Sequence, residues 1–170
     1  MTVLKIIKEI ESNLCGLDND GNLRLDTKGS MAGQIADADV PQFGGKGIPT
    51  QVAISNAAGT SNISNVTFQV TDIDGTAVSG NFLLDILLSD ATTGLGITGT
   101  TPSGGIAAAA SGGEVELVMT VSKAVRMQTA AGGKAVLAIT DSAKHAYVPV
   151  AYYLGRSFIG AALTTGSFGA

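Results

Sequence analysis

The stretch that decides the fold is "NVTFQVTDIDGTAVSGNFLLDILLS", residues 65–89. Residues 66–70 alternate apolar and polar side chains, which is the period-two pattern of a half-buried β-strand. Residues 72–80 follow with the Gly- and Asp-rich composition of a turn. Residues 81–89 are apolar on both sides for part of their length, which predicts a central strand.

The same period of two continues toward the C-terminus. It predicts strands over residues 115–121 and 134–141, a short strand around residues 125–127, and a turn at "AAGG", residues 130–133. Short strands separated by Gly-rich turns, with no second long helix, indicate an all-β protein. We expect an immunoglobulin-like antiparallel β-sandwich of about seven strands, with a jelly roll or a small barrel as the alternative.

The N-terminal part has a different pattern. Residues 2–15 place apolar side chains on one stripe of a helix, with Thr2 as a cap and Gly16 as a stop. Residues 16–50 are rich in turns, Pro and Gly, with a hint of a short strand at Leu23 and Leu25. This organisation predicts an N-terminal helix and extended arm over residues 1–50, followed by a β-sandwich domain over residues 51–170.

Composition excludes several classes of function. Of the 170 residues, 45% are hydrophobic, so the chain is not a disordered protein. Only 14% are charged and the net charge is −4, without a run of Lys or Arg, so binding to nucleic acid is not expected. The chain has no apolar run long enough for a membrane span and no signal-peptide pattern, which predicts a protein made and folded in a cytoplasm.

Catalytic and metal-binding patterns are missing from the sequence. His145 is the only histidine and Cys15 the only cysteine, which excludes His/Cys metal sites. The sequence also has no G-x-S-x-G motif that could supply a nucleophilic serine beside His145. "DNDG" (18–21) and "DIDG" (72–75) lack the later residues of a calcium loop and are typical of tight turns. We therefore predict no enzyme activity, no cofactor and no metal, with Cys15 a reduced thiol and His145 a surface or strand-end residue.

Two longer segments resemble virion proteins of tailed bacteriophages. The first is "NISNVTFQVTDIDGTAVSGNFLLDILLSDATTGLGITGTTPSGG", residues 62–105. The second is "TVSKAVRMQTAAGGKAVLAITDSAKHAYVPVA", residues 120–151, where a Gly turn precedes an "AITD" strand and an aromatic strand. The resemblance covers about residues 61–152 and leaves out the first 60 residues.

This resemblance implies a capsid-associated structural protein of the decoration (cement) or head-fibre type. Its implied partner is the major capsid protein, its place is the exterior of the virion capsid after synthesis in the host cytoplasm, and its expected state is a homo-oligomer, with a trimer as the natural guess. The alternative is a head-fibre or adhesin module that binds a host receptor or glycan. Tyr147, Tyr152 and Tyr153 are the only tyrosines that such a sugar site could use.

Apolar residues near the two chain ends predict the subunit interface, because a compact domain would not need them there. The candidates are Val3, Ile6, Ile7, Ile10, Leu14, Phe158, Ile159, Leu163 and Phe168. A further candidate is "SDATTGLGITGTTPSGG", residues 89–105, which predicts an inter-strand connection carrying a short β segment. Its lack of charge suits contact with another subunit, and an ordinary surface loop is the equal alternative.

Overall fold

The computed structural model describes residues 47–170 and, before them, the two-residue strands β1 (Gly16–Leu17) and β2 (Leu23–Arg24). These two strands pair antiparallel, and β2 coincides with the short strand predicted at Leu23. The predicted helix over residues 2–15 lies outside the described residues, as does most of the predicted arm.

The chain divides into two units, Met1–Gly44 and Gly45–Ala170. The second unit contains nine strands and one short 3₁₀ helix, Thr165–Ser167. The strands are β3 (Gln51–Ala58), β4 (Ile63–Thr71), β5 (Leu83–Ser89), β6 (Gly105–Ala108), β7 (Glu114–Thr120), β8 (Ala124–Gln128), β9 (Lys134–Thr140), β10 (Val148–Tyr153) and β11 (Arg156–Ile159).

The nine strands form two antiparallel sheets. One sheet has the order β11-β10-β5-β8-β7 and the other the order β3-β4-β9-β6. Apolar side chains from both sheets form a single buried cluster between them, as a β-sandwich requires. The predicted all-β sandwich is therefore confirmed, with two separate sheets rather than the closed barrel of the alternative.

Alternation along the strands builds the core. In β4 the side chains of Val66, Phe68 and Val70 are fully buried, while their polar neighbours face away. In β5 the alternate residues Leu84 and Ile86 are fully buried in the same way. Two strands that were predicted from the period of two thus supply facing halves of one core.

Strand β5 is central, as its two-sided apolar pattern predicted. It pairs with β10 on one side and with β8 on the other. Its outward residue Leu87 is half-buried and Leu83 is exposed, so the outer face of the sheet is covered only in part.

The simple alternation predicted over residues 115–121 is wrong for β7. Two register shifts against β8 interrupt the ladder, one between Val115 and Leu117 and one between Val118 and Thr120. Each shift sets two residues of β7 against one of β8, which is a β-bulge. Neighbouring apolar residues therefore point to different faces, and every residue from Glu114 to Met119 is exposed.

The acidic turn predicted at residues 72–80 is present. The backbone N–H of Asp72 donates to the carbonyl of Thr76 at 2.9 Å, and Gly75 takes the left-handed conformation at φ +81°. The buried carboxylate of Asp72 accepts the N–H groups of Asp74, Thr76 and Gly47 at 2.8–3.0 Å. Such an arrangement is an Asx turn, in which the aspartate side chain stabilises the loop by accepting hydrogen bonds from its backbone N–H groups.

Neither a metal cluster nor a membrane helix is found in the described part of the chain. Residues 47–170 contain no group of three or more His, Cys, Asp or Glu side chains placed to hold a metal ion. In the same residues, no helix combines the length and the apolar character needed to cross a bilayer.

Replacing Gly133 by Ala tests how tightly the predicted Gly turn is packed. Gly133 has φ +71°, and a Cβ there would collide with the backbone carbonyl of Val78. We expect Gly133→Ala to lower the free energy of unfolding by about 3 kcal/mol or more, because strain and steric collision add.

Gly96→Ala is the matched control, because Gly96 has φ +79° with open space around the added Cβ. Conformational strain alone should cost about 1 kcal/mol there. Urea denaturation of both variants measures the difference, and equal losses would contradict the packing of the turn.

Candidate interaction surfaces

Residues 90–104, which we call the crossover loop, connect the two sheets. They leave the central strand β5 and enter β6 at the edge of the facing sheet. The N–H of Thr98 donates to the carbonyl of Leu88 at 2.7 Å, and the N–H of Gly104 donates to the carbonyl of Thr140 at 2.8 Å. The predicted inter-strand connection is thus present, although only Gly105 of the quoted stretch 89–105 belongs to a strand after Ser89.

The only charge in this loop is used to hold it together. The carboxylate of Asp90 accepts the hydroxyl of Thr98 on one oxygen and the N–H of Gly99 on the other, the latter at 2.7 Å. The hydroxyl of Thr98 and the amide of Gly99 lower the pKa of Asp90, and the Lys123 ammonium adds to this effect. Lys123 Nζ in turn donates to the carbonyls of Thr98 and Gly99 at 3.0 and 2.8 Å.

Gly94 fixes the loop against the outer face of the five-stranded sheet. Its φ is +70°, and a Cβ at this position would lie 2.9 Å from Ile159 and 3.0 Å from Val150. Val150 is fully buried although it lies opposite the outward residue Leu87. The loop backbone therefore covers apolar side chains that would otherwise be exposed.

Two apolar side chains of the crossover loop point to solvent. Leu95 is 73% exposed and Ile97 is 47% exposed. Both belong to the segment that Asp90 and Lys123 hold in place. The loop is consequently charge-poor and internally hydrogen-bonded, with two exposed apolar side chains.

Strand β7 is the second exposed apolar surface. Leu117 is 52% exposed and Val118 is 54% exposed, and Val115 and Met119 beside them are also exposed. β7 is the last strand of its sheet and pairs only with β8 among the described strands. An exposed apolar edge strand is a surface that soluble proteins normally cover.

A third site is a concave depression on the outer face of the five-stranded sheet. Its volume is about 430 Å³. Asp85 and Arg126 lie directly opposite each other and form a two-pronged ion pair, with Nε–Oδ1 at 2.6 Å and a second N–O distance of 2.8 Å. The remaining lining comes from Leu83, Tyr152, Tyr153, Leu154 and Gly155.

His145 belongs to a hydrogen-bond hub around Asp141. The carboxylate of Asp141 is buried and lies 2.7 Å from Nδ1 of His145. It also accepts the N–H of His145 at 2.9 Å, the N–H of Ser103 at 3.3 Å and the hydroxyl of Tyr147 at 3.1 Å. These hydrogen bonds connect the end of the crossover loop to the segment between β9 and β10. His145, the only histidine of the sequence, therefore has a structural role here.

The hub shifts the pKa values of its members. Burial raises the pKa of Asp141, but the hydrogen bonds from His145, Ser103 and Tyr147 outweigh burial and hold it well below its ordinary value. Burial, together with the neighbouring carboxylate of Asp141, raises the pKa of the Tyr147 hydroxyl. Both shifts favour an ionised Asp141 facing a neutral tyrosine.

The interface residues predicted near the C-terminus have different environments. Leu163 and Phe168 are buried in the core, and Phe158 packs against it. The side chains of Leu163 and Phe168 are covered, so the expectation of unpaired surface does not hold for these two, whereas Phe158 is half-buried. Ile159 is exposed at the edge of its sheet. The predicted residues Val3, Ile6, Ile7, Ile10 and Leu14, like Cys15, lie outside the described residues.

Sequence reasoning singled out the crossover loop but missed the exposure of β7. The signal was present in "EVELVMT", residues 114–120, where Leu117 and Val118 stand side by side and break the period of two. The partners of Asp141 could not be inferred, because Ser103 lies 38 residues away along the chain.

No family model, no curated protein and no solved structure matches this chain.

Replacing Asp141 by Asn tests the hub. At pH 7 we expect Asp141→Asn to lower the free energy of unfolding by about 3 kcal/mol, because a buried charge loses charge-assisted hydrogen bonds, and Tyr147→Phe to lower it by about 1 kcal/mol. Since the pKa of Asp141 is lower in the folded state, its stabilisation is complete above its ordinary pKa and is lost as the pH falls below that value.

Chemical denaturation between pH 7 and pH 2 measures this dependence. The stability of the unsubstituted chain should fall more steeply on acidification than that of Asp141→Asn. Parallel pH profiles would contradict the role given to Asp141.

Proposed function

We propose that the chain is a structural protein of a tailed-bacteriophage virion, a capsid decoration or cement protein that binds the major capsid protein in the assembled lattice. The observation that carries the proposal is the ordered crossover loop with its exposed Leu95 and Ile97. The resemblance of residues 61–152 to virion proteins supports the same conclusion.

The loop is suited to binding because it is already ordered. Asp90, Lys123 and Gly94 hold its backbone, so little conformational entropy remains to be lost on association. Burying one leucine or isoleucine contributes about 1.5–3 kcal/mol. A charge-poor loop also loses few hydrogen bonds to water when a partner covers it.

A cement protein needs only modest contacts at each position. Ligands that bind the assembled shell better than free subunits stabilise the shell by mass action. A homo-oligomer on the capsid exterior repeats each contact several times, and linked contacts multiply in affinity. Contacts of the size offered by Leu95 and Ile97 fit this mode of action.

A second candidate function is a head-fibre or adhesin module that binds a glycan. The depression lined by Asp85, Arg126 and Tyr152 favours it, because a carboxylate and a guanidinium can bind sugar hydroxyls beside an aromatic ring. Tyr152 is 38% exposed at this site. Tyr147 is buried, so of the three tyrosines only Tyr152 and Tyr153 line the depression.

Replacing Leu95 by Asp tests the capsid contact. Co-sedimentation with expanded capsids of the phage that encodes the chain should show about tenfold or more weaker binding for Leu95→Asp, because a charge would have to be desolvated at the contact. Leu154→Asp is the matched control, since Leu154 is an exposed leucine in the β10–β11 turn and should bind like the unsubstituted chain.

Equal weakening by both substitutions would show that the added negative charge lowers the affinity wherever it is placed, and that the crossover loop is not the contact. No binding of the unsubstituted chain to expanded capsids would contradict the proposed function.

The glycan candidate has its own test. Screening the purified chain on a glycan array should give binding that Tyr152→Ala abolishes if the depression is a sugar site. Silence of the unsubstituted chain on the array would remove this candidate and leave the decoration function untouched.

A further inference from the structure

The depression on the outer face of the five-stranded sheet has a floor made by one row of opposed residues. Tyr152 of β10 lies directly opposite Asp85 of β5, and Asp85 lies directly opposite Arg126 of β8. Directly opposed residues share one face of a sheet, so these three side chains lie side by side. All three line the depression, whose volume of about 430 Å³ is within the range of small-ligand sites.

The ion pair gives this floor hydrogen-bonding groups without net charge. Arg126 Nε donates to Asp85 Oδ1 at 2.6 Å, and Arg126 Nη2 donates to Asp85 Oδ2 at 2.8 Å. The guanidinium retains further N–H donors and the carboxylate further lone pairs. Both side chains are also partly exposed. An acceptor and a donor therefore lie next to each other, within reach of a ligand.

This charge balance selects the class of ligand. One hydroxyl group can donate to the carboxylate of Asp85 while a neighbouring hydroxyl oxygen accepts from the guanidinium of Arg126, and the ion pair stays intact. A ligand carboxylate or sulfate would reach Arg126 only beside the negative charge of Asp85, which is unfavourable. A ligand with adjacent hydroxyls and no charge therefore fits the floor better than an anion.

Leu154, which lines the depression, has a backbone conformation that is unusual for leucine. Tyr153 pairs with Arg156, so Leu154 and Gly155 form a two-residue turn with φ values of +49° and +74°. Turns with positive φ at both positions favour Asn, Asp or Gly at the first one. Leu154 is the only apolar side chain among the non-glycine residues of positive φ in the described part of the chain. The others are Ser61, Asn62, Ser111, Ser122 and Lys144.

The strained leucine contributes little to the core, because its side chain is 68% exposed. Residues in sparsely populated backbone conformations cluster at functional sites such as ligand clamps. Leu83, which is also exposed, lines the same depression. Apolar side chains around a few polar groups are the usual composition of a small-molecule site.

We propose that the depression binds one uncharged sugar residue, whose hydroxyls contact Asp85 and Arg126 and whose apolar face packs against Tyr152 and Leu154. The proposal deepens the glycan candidate of the proposed function and rests on it, because it names the charge class of the sugar and the residues that select it. It does not depend on the capsid contact, since Leu95 of the crossover loop is not part of the lining.

An array that carries neutral glycans together with their sialylated and sulfated counterparts tests the charge class on the full chain. The unsubstituted chain should bind neutral glycans about tenfold or more tightly than their acidic counterparts. Asp85→Asn should reverse this preference, because the amide has the size of the carboxylate but leaves the guanidinium of Arg126 without its counter-charge. Asp74→Asn is the matched control, since it makes the same change of charge at an exposed turn residue outside the lining.

Leu154→Asn separates binding from folding. The substitution creates the Asn-Gly pair that such turns favour, so the midpoint of thermal unfolding should rise by about 2 °C. Titration with the neutral glycan that binds most tightly on the array should nevertheless show an affinity about fivefold or more lower, because an apolar contact is lost. Leu95→Asp should keep the affinity for the glycan unchanged.

Tighter binding of the acidic glycans by the unsubstituted chain would overturn this proposal and leave the glycan candidate in place. An unchanged glycan affinity in Leu154→Asn, or an unchanged preference in Asp85→Asn, would also overturn it. Absence of binding to every glycan would overturn the proposal and the glycan candidate together, whereas the capsid-decoration function has its own test in Leu95→Asp.

Discussion

The packing of two sheets of unequal width is the constraint on which the rest of this structure depends. Phe68 of the four-stranded sheet and Leu84 and Ile86 of the five-stranded sheet lie in one buried cluster, which holds the sheets face to face. Five strands cannot be covered fully by four, so a margin of the larger sheet is left over. Strand β7 is that margin, and its apolar side chains are exposed for this geometrical reason.

Three carboxylates of the described region order its connections. Asp72 forms a turn, Asp90 holds the crossover loop, and Asp141 joins that loop to the segment before β10. The exposed apolar side chains of the crossover loop are Leu95 and Ile97. Exposed apolar side chains of this kind are suited to contact with other proteins, as the proposed decoration function requires.

Much of the fold could be predicted from the sequence, because alternation along a strand follows from its geometry. The strands around Phe68 and Ile86 were identified in this way, and the turn at Gly133 was identified from its glycines. The bulges of β7 were not, since they depend on the register with β8. The burial of Leu163 and Phe168 depends on where the tail runs, and the hub of Asp141 depends on residues distant in sequence. Local sequence pattern therefore predicts the core strands better than it predicts the surfaces that could bind partners.

The proposed decoration function requires that the chain stabilise an assembled shell through apolar contacts. The most direct measurement is the temperature at which expanded capsids of the phage that encodes the chain disrupt, with and without saturating purified protein, followed by scanning calorimetry. We expect a higher disruption temperature that increases with protein concentration until the lattice is saturated. An unchanged disruption temperature at concentrations where the protein is bound would contradict that function.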